Sequence, residues 1–358
     1  MKFNRLGATG LYVSELCFGT MTFSGSNWLG GVIGTLDQKA ATALIGRSLE
    51  AGINFIDTAN VYSIGESERM TGVALKELGV KRTDVVLATK VFGRMGPGPN
   101  DMGASRGHIM DSIGRSLERL GTDHVDLYQI HQSDSVTTTE ETMRALDDLV
   151  RQGMVRYVGV SNWEAWRIME ANGLAERRGF ARIETHQAYY SLAGRDLEHD
   201  LVPLMRHQNI GCLVWSPLAG GYLAGKYTPG GEAAAQPGRR ANFDFPPLDK
   251  DKADAIVTAM RPIAKAHGVS VARVALAWVR QKPFVTSTII GAKTLEQLND
   301  NLEAIALELT PEDIATLDAV SAPPLLYPHW MIRRNNAARV PSGEPVQMGG
   351  TGAIPPQR

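Results

Sequence analysis

Short apolar runs alternate along the chain with longer segments in which apolar residues return every three or four positions. The runs fall at 16–19, 53–57, 85–90, 125–131, 155–161, 182–187, 210–215 and 285–290. Most are rich in Val, Ile, Leu or aromatics and close on a polar residue or Gly. Their apolar positions are consecutive, as in parallel strands covered on both faces. The segments between them predict helices at 35–51, 66–78, 105–120, 138–152, 163–171, 197–207, 252–267 and 270–281. In 105–120, Ile109, Ile113, Leu117 and Leu120 form one stripe, with Arg and Asp between them. Such a stripe covers a sheet. Strand then helix, eight times over, predicts an α/β fold: a parallel sheet closed into a (β/α)8 TIM barrel.

Extra material brackets the repeat. Residues 2–6 and 12–15 flank a Gly-Ala-Thr-Gly turn at 7–10, which predicts an N-terminal β-hairpin capping the barrel bottom. The interval before the last strand is about twice the others, so a long loop at 218–250 precedes an added helix. C-terminal extra helices are expected near 295–304 and 311–320, the second with Thr310 as N-cap and Pro311 after it. Residues 1–321 read as one barrel domain. Residues 322–358 read as a C-terminal segment rich in Pro and Gly, ending in a flexible tail from 339.

Composition narrows the class. The 358 residues carry a formal charge of −1, which gives no pull toward nucleic acid or an anionic membrane. Cys17 and Cys212 each lie in an apolar run, with no CxxC or Cys/His cluster, so neither a disulfide framework nor a metal site is expected. The N-terminus lacks the apolar core of a signal peptide, and no apolar run nears the ~18 residues of a membrane span. A cytoplasmic enzyme is the expectation. Nothing in the chain speaks to its oligomeric state.

In a β/α barrel the active site lies at the C-terminal ends of the strands. The second, third and fourth runs end at Asp57, Lys90 and His131, and Tyr62 follows Asp57 in the loop. Each residue type alone is more often structural than catalytic. Together at neighbouring strand ends they fit carbonyl reduction. Hydride arriving at a carbonyl carbon builds an alkoxide that needs a proton. A tyrosine, with a pKa of about 10, is too weak an acid unless a nearby ammonium favours its phenolate. Lys90 would supply that charge, Asp57 would hold Lys90, and His131 would polarise the carbonyl oxygen. No G-x-S-x-G, H-E-x-x-H or paired strand-end carboxylates support a hydrolase.

The stretch Gly-Ile-Asn-Phe-Ile-Asp-Thr-Ala-Asn-Val-Tyr-Ser-Ile-Gly-Glu-Ser-Glu-Arg-Met-Thr-Gly at 52–72 resembles the aldo-keto reductase signature. The likeness runs from the hairpin to about Val320 and is strongest to the branch of aryl-alcohol dehydrogenase-like reductases and potassium-channel β subunits. It implies Asp57, Tyr62, Lys90 and His131 as a catalytic tetrad with Tyr62 the general acid, and NADPH as cofactor, with NADH the alternative. No G-x-G-x-x-G follows a strand, so the dinucleotide must lie across the barrel mouth. The resemblance places it on Gly19, Thr20, Met21 and Asp57, with Ser161, Asn162 and Gln187 on the carboxamide and Trp215 against the nicotinamide ring. Ser216, Pro217, Leu218 and Gly220 resemble the pyrophosphate loop, flanked by Lys226 and Arg240. Ile290, Gly291, Lys293, Gln297, Asp300 and Asn301 resemble the 2′-phosphate and adenine segment, although better-known branches carry arginine where Gln297 stands. Trp28, Phe92, Trp163 and Trp330, with Tyr327 beside the last, are candidate substrate-pocket walls for a small aldehyde or ketone. The alternative function is an NADPH-binding redox sensor or regulatory subunit with little turnover, as in the channel β subunits.

Overall fold

A computed structural model describes residues 1–24, 36–227, 240 and 243–337. Its centre is a closed barrel of eight parallel strands: β3 (Leu16–Gly19), β4 (Phe55–Asp57), β5 (Val86–Val91), β6 (Val125–Ile130), β7 (Val155–Ser161), β8 (Ile183–Tyr189), β9 (Gly211–Trp215) and β10 (Val285–Ile290). They pair in chain order, and β10 closes against β3. The fold is the expected (β/α)8 barrel, and each strand lies within two or three residues of its predicted bounds.

Helices α1 (Gln38–Glu50), α2 (Glu66–Glu77), α3 (Arg106–Leu120), α4 (Thr139–Arg151), α5 (Ala165–Arg178) and α6 (Leu201–Gln208) follow β3 to β8 in turn. The helix after β7 runs seven residues past its expected end and stops at Gly179, a left-handed C-cap. After β9 come α7 (Lys250–His267) and α8 (Val271–Arg280), and β10 is followed by α9 (Leu295–Leu302) and α10 (Pro311–Val320). Thr310 caps α10 through a capping box, with Pro311 at its start. Sequence reading did not anticipate α11 (His329–Ala337), which holds no Pro or Gly itself but follows Pro323, Pro324 and Pro328. The expected tail from 339 lies outside the described residues.

The core has two parts. Strand residues that point outward join the helices in one large cluster, to which Ile109, Ile113, Leu117 and Leu120 contribute their predicted stripe. Leu6, Val13, Cys17, Phe55, Val86, Ala88, Leu127 and Leu213 fill the lower barrel interior. Leu6 and Val13 belong to the antiparallel hairpin β1 (Phe3–Arg5) and β2 (Tyr12–Ser14), so the hairpin plugs the bottom. Gly7 makes that docking possible. Its φ is +59°, and a Cβ there would stand 2.2 Å from the Glu184 carbonyl oxygen at the start of β8. With the bottom closed, the open end is the mouth where β4, β5 and β6 deliver their last residues. Among the described residues no helix is long and apolar enough to cross a membrane.

Candidate active site

Strand alternation aims the side chains. On β5, Thr89 turns outward and bonds the buried carboxylate of Glu68 on α2, so Lys90 turns inward. The Lys90 side chain is fully buried. Its ammonium donates to Asp57 Oδ2 at 2.5 Å, to the Thr58 carbonyl at 2.8 Å and to the Tyr62 hydroxyl at 3.3 Å. Burial alone would discharge this lysine. The charge of Asp57 and the hydrogen bonds to Asp57 and Tyr62 outweigh that and raise its pKa, so it remains an ammonium.

Tyr62 is held over the mouth by a tight loop. Thr58 and Asn60 continue the β4 exit along β5, their amides donating to the Ala88 and Lys90 carbonyls. Ser63 and Ile64 both have φ of 52°, a left-handed conformation that non-glycine residues rarely take. Each costs on the order of 1–3 kcal/mol, and such strain gathers where geometry must be fixed. Ser63 Oγ anchors the loop on the Phe23 carbonyl. Below it, Glu68 pairs with Arg119, whose side chain fills the space beside Gly65.

His131 follows β6 with its ring edge-on to Tyr62, centroids 5.7 Å apart. Burial, aided by the Lys90 ammonium, pushes its pKa down to about 3. His186, buried behind β8, is lowered by burial to about 4. Both are neutral at pH 7, whereas in the unfolded chain each takes up a proton near pH 6.5. Their contribution to stability is therefore complete above about 6.5 and lost as pH falls toward the folded values. Near pH 5 the two should give a slope of almost two protons, between about 2 and 3 kcal/mol per pH unit. Urea unfolding across pH 4.5 to 7.5 measures it, and His186→Gln should remove about one proton of the slope.

Asn162, in a left-handed conformation, donates to the His131 carbonyl and to Ser161 Oγ, and accepts from the Trp215 indole. Gln187 donates to Asp57 Oδ1 at 2.9 Å. Trp215 lies 5.1 Å from the Tyr189 ring and stacks on Phe245 at 5.7 Å with 5° between planes. The loop beyond Trp215 concentrates left-handed backbone at Ser216, Ala219, Gly220 and Gly221, the kind of run that turns amides toward one side. Thr20 is buried, its hydroxyl on Ser67, and its amide donates to the Asp57 carbonyl. Gly19 registers beside Asp57, and Met21 follows half-buried. Lys226 is exposed. So are Gly291 and Lys293, which follow buried Ile290, while Thr294 caps α9 and the Lys293 amide donates to Gln297.

Several expected residues stand elsewhere than at an open wall. Arg240 is buried, and the Ala219 and Pro246 carbonyls and Asp244 fill its guanidinium, so it braces the loop. Asp300 takes Ser270 and Arg273 at the start of α8, and Asn301 bonds the Gly291 carbonyl. Trp163, 3% exposed, is in the main core under Arg167. Trp330 is 43% exposed beside Tyr327, on a helix that meets the loop after β8 through His329 and Asp200. Phe92 is half-buried against the core. Trp28 lies outside the described residues.

Sequence reading missed two residues. Gln129 bonds Asp57 inside the barrel, and the signal was available: it lies two positions before His131, on the same face of β6. Phe245 comes from a long loop with no periodic pattern and left no signal.

A family model described as "Aldo/keto reductase family" matches residues 15–322. A rice (Oryza sativa subsp. japonica) protein named a probable voltage-gated potassium channel subunit beta is 38% identical over 325 residues, 89% of this chain and 96% of its own. An uncharacterized oxidoreductase of Bacillus subtilis is 38% identical over 328 residues, with the same coverage. Versiconal hemiacetal acetate reductase of Aspergillus parasiticus is 32% identical over 345 residues, 92% of this chain and 99% of its own.

Proposed function

The chain belongs to the aldo/keto reductase family, and on that premise we propose that it is an NADPH-dependent reductase of aldehydes or ketones, working by reversible hydride transfer. The observation that carries this reading is the buried Lys90 ammonium, which touches Asp57 on one side and Tyr62 on the other.

Bound NADPH would supply hydride to the carbonyl carbon. The protein's task is the oxygen. Tyr62 gives the proton to the forming alkoxide, and the neighbouring ammonium stabilises the phenolate left behind. Asp57 keeps Lys90 charged and in place. His131, neutral through the physiological range, donates an N–H to the carbonyl oxygen without competing for the proton.

The chain's groups fit such a cofactor. With its nitrogen on Asp57, Gln187 has its amide oxygen for a carboxamide N–H, beside the Ser161 hydroxyl and Asn162. Trp215 offers an aromatic face, and the left-handed run after it suits a diphosphate with Lys226 beside it. The N-terminus of α9, with Lys293 and Gln297, suits the 2′-phosphate. Arg240 and Asp300 serve as braces for these segments.

The test is NADPH consumption, followed by its nicotinamide absorbance, over a panel of aromatic and aliphatic aldehydes with NADH in parallel. NADPH-dependent turnover on one aldehyde supports the reading. The likeness to the rice protein, named a probable voltage-gated potassium channel subunit beta, favours a second reading, in which this chain is a regulatory subunit that binds the nucleotide with little turnover. Tight NADPH binding without turnover across the panel would select it, and failure to bind either nucleotide would overturn both.

A further inference from the structure

Asp57 has more partners than Lys90. Its Oδ2 faces the ammonium, while its Oδ1 accepts from two side-chain amides, Gln129 at 3.2 Å and Gln187 at 2.9 Å. The Gln187 nitrogen also lies 3.4 Å from Gln129 Oε1, so the amides orient each other as well as the carboxylate. All are buried, where one correctly pointed donor matters more than it does in water.

The sheet register shows how Gln129 comes to be there. Lys90, Gln129, Gly159 and Thr185 are direct neighbours across β5, β6, β7 and β8. At this level β7 has no side chain. A Cβ on Gly159 would stand 2.1 Å from Thr185 Oγ1 and 3.2 Å from Gln129 Cγ. The glycine leaves the barrel interior open for the Gln129 chain to cross toward Asp57.

We propose that Gln129 is a positioning residue for proton donation: with Gln187 it fixes one oxygen of Asp57, so that the other keeps the Lys90 ammonium aimed at Tyr62. A carboxylate gripped only by Lys90 is free to turn about its own axis and draws the ammonium toward itself. Held on the far oxygen by two amides, it spreads its charge and leaves more of the lysine's field for the phenol. The same arrangement ties cofactor seating to the proton donor, because Gln187, the residue proposed to meet the carboxamide, has its nitrogen on Asp57. The inference rests on the donor role proposed for Tyr62, but its test needs no turnover.

The experiment is a titration of the Tyr62 phenol by tyrosinate absorbance in the full chain, with the Tyr62→Phe protein subtracted to isolate that residue. It is run on the parent, on Gln129→Met, which keeps length and loses the donor, and on Gln129→Asn, which withdraws the amide by one methylene. Both variants should raise the Tyr62 midpoint, Gln129→Met by roughly half a pH unit. NADPH affinity should stay within about twofold, since Gln187, the residue proposed to meet the carboxamide, keeps its own bond to Asp57 in both variants. If either folded variant keeps the parental midpoint, the positioning role is overturned. Should Gln129→Met fail to fold, Gln129→Asn carries the test alone. A parent that titrates as described yet turns over no carbonyl would remove the proposed function and leave the coupling standing.

Discussion

Tyr62→Phe should lower NADPH-dependent carbonyl reduction by roughly a hundredfold or more, the usual scale for removing a general acid. NADPH binding and folding should be nearly untouched. The substitution deletes one oxygen from a ring whose edge-on contact with His131 at 5.7 Å remains. It leaves Lys90 bonded to Asp57 and the Thr58 carbonyl. The left-handed turn at Ser63 and Ile64 is anchored by Ser63 on Phe23, not by the phenol. A loss of turnover can thus be assigned to chemistry if nucleotide affinity and the unfolding midpoint are measured alongside. Turnover equal to the parent's would remove Tyr62 as the proton donor. A smaller loss that steepens as pH rises would point to His131 or water supplying the proton.

How far the sequence could carry the argument depended on whether a residue's position follows from periodicity. Strand ends do. Asp57, Lys90 and His131 were legible because a parallel barrel sends the last inward residue of each strand to one mouth. Tyr62 was legible from its place in the loop after Asp57, but the turn that holds it rests on two left-handed non-glycine residues that no propensity favours. Gln129 was equally well placed by alternation, but a glutamine in a buried strand reads as a structural polar group until its partner is known. Trp163 was misjudged because it follows β7 directly. The chain turns there into α5 and drives the indole inward under Arg167. Arg240 and Phe245 belong to the long excursion after β9, where the bond from Arg240 to the Ala219 carbonyl and the stacking of Phe245 on Trp215 arise from tertiary contact alone. For α11 the prolines just before it, at 323, 324 and 328, marked the whole segment as irregular, and a run of nine residues is too short for a clear periodic stripe.

Lys90→Met should do what Tyr62→Phe does to turnover and add a large loss of stability, and the two effects can be separated. With the ammonium gone, Asp57 keeps its two amides on Oδ1 but has a bare Oδ2 in a buried site. Breaking a buried pair by removing one partner costs about 3–5 kcal/mol, most of it from the charge left behind. The Thr58 carbonyl loses its donor as well. Adding Asp57→Asn to the same chain removes the stranded charge, and the asparagine oxygen still accepts from Gln129 and Gln187. Urea unfolding should show the double variant recovering much of what the single variant lost. Turnover should not recover, because no ammonium stands beside Tyr62 to stabilise the phenolate. If single and double variants were equally unstable, the cost would lie in packing around the aliphatic stem rather than in Asp57. If the double variant regained both stability and turnover, the Lys90 ammonium would have no part in acidifying Tyr62.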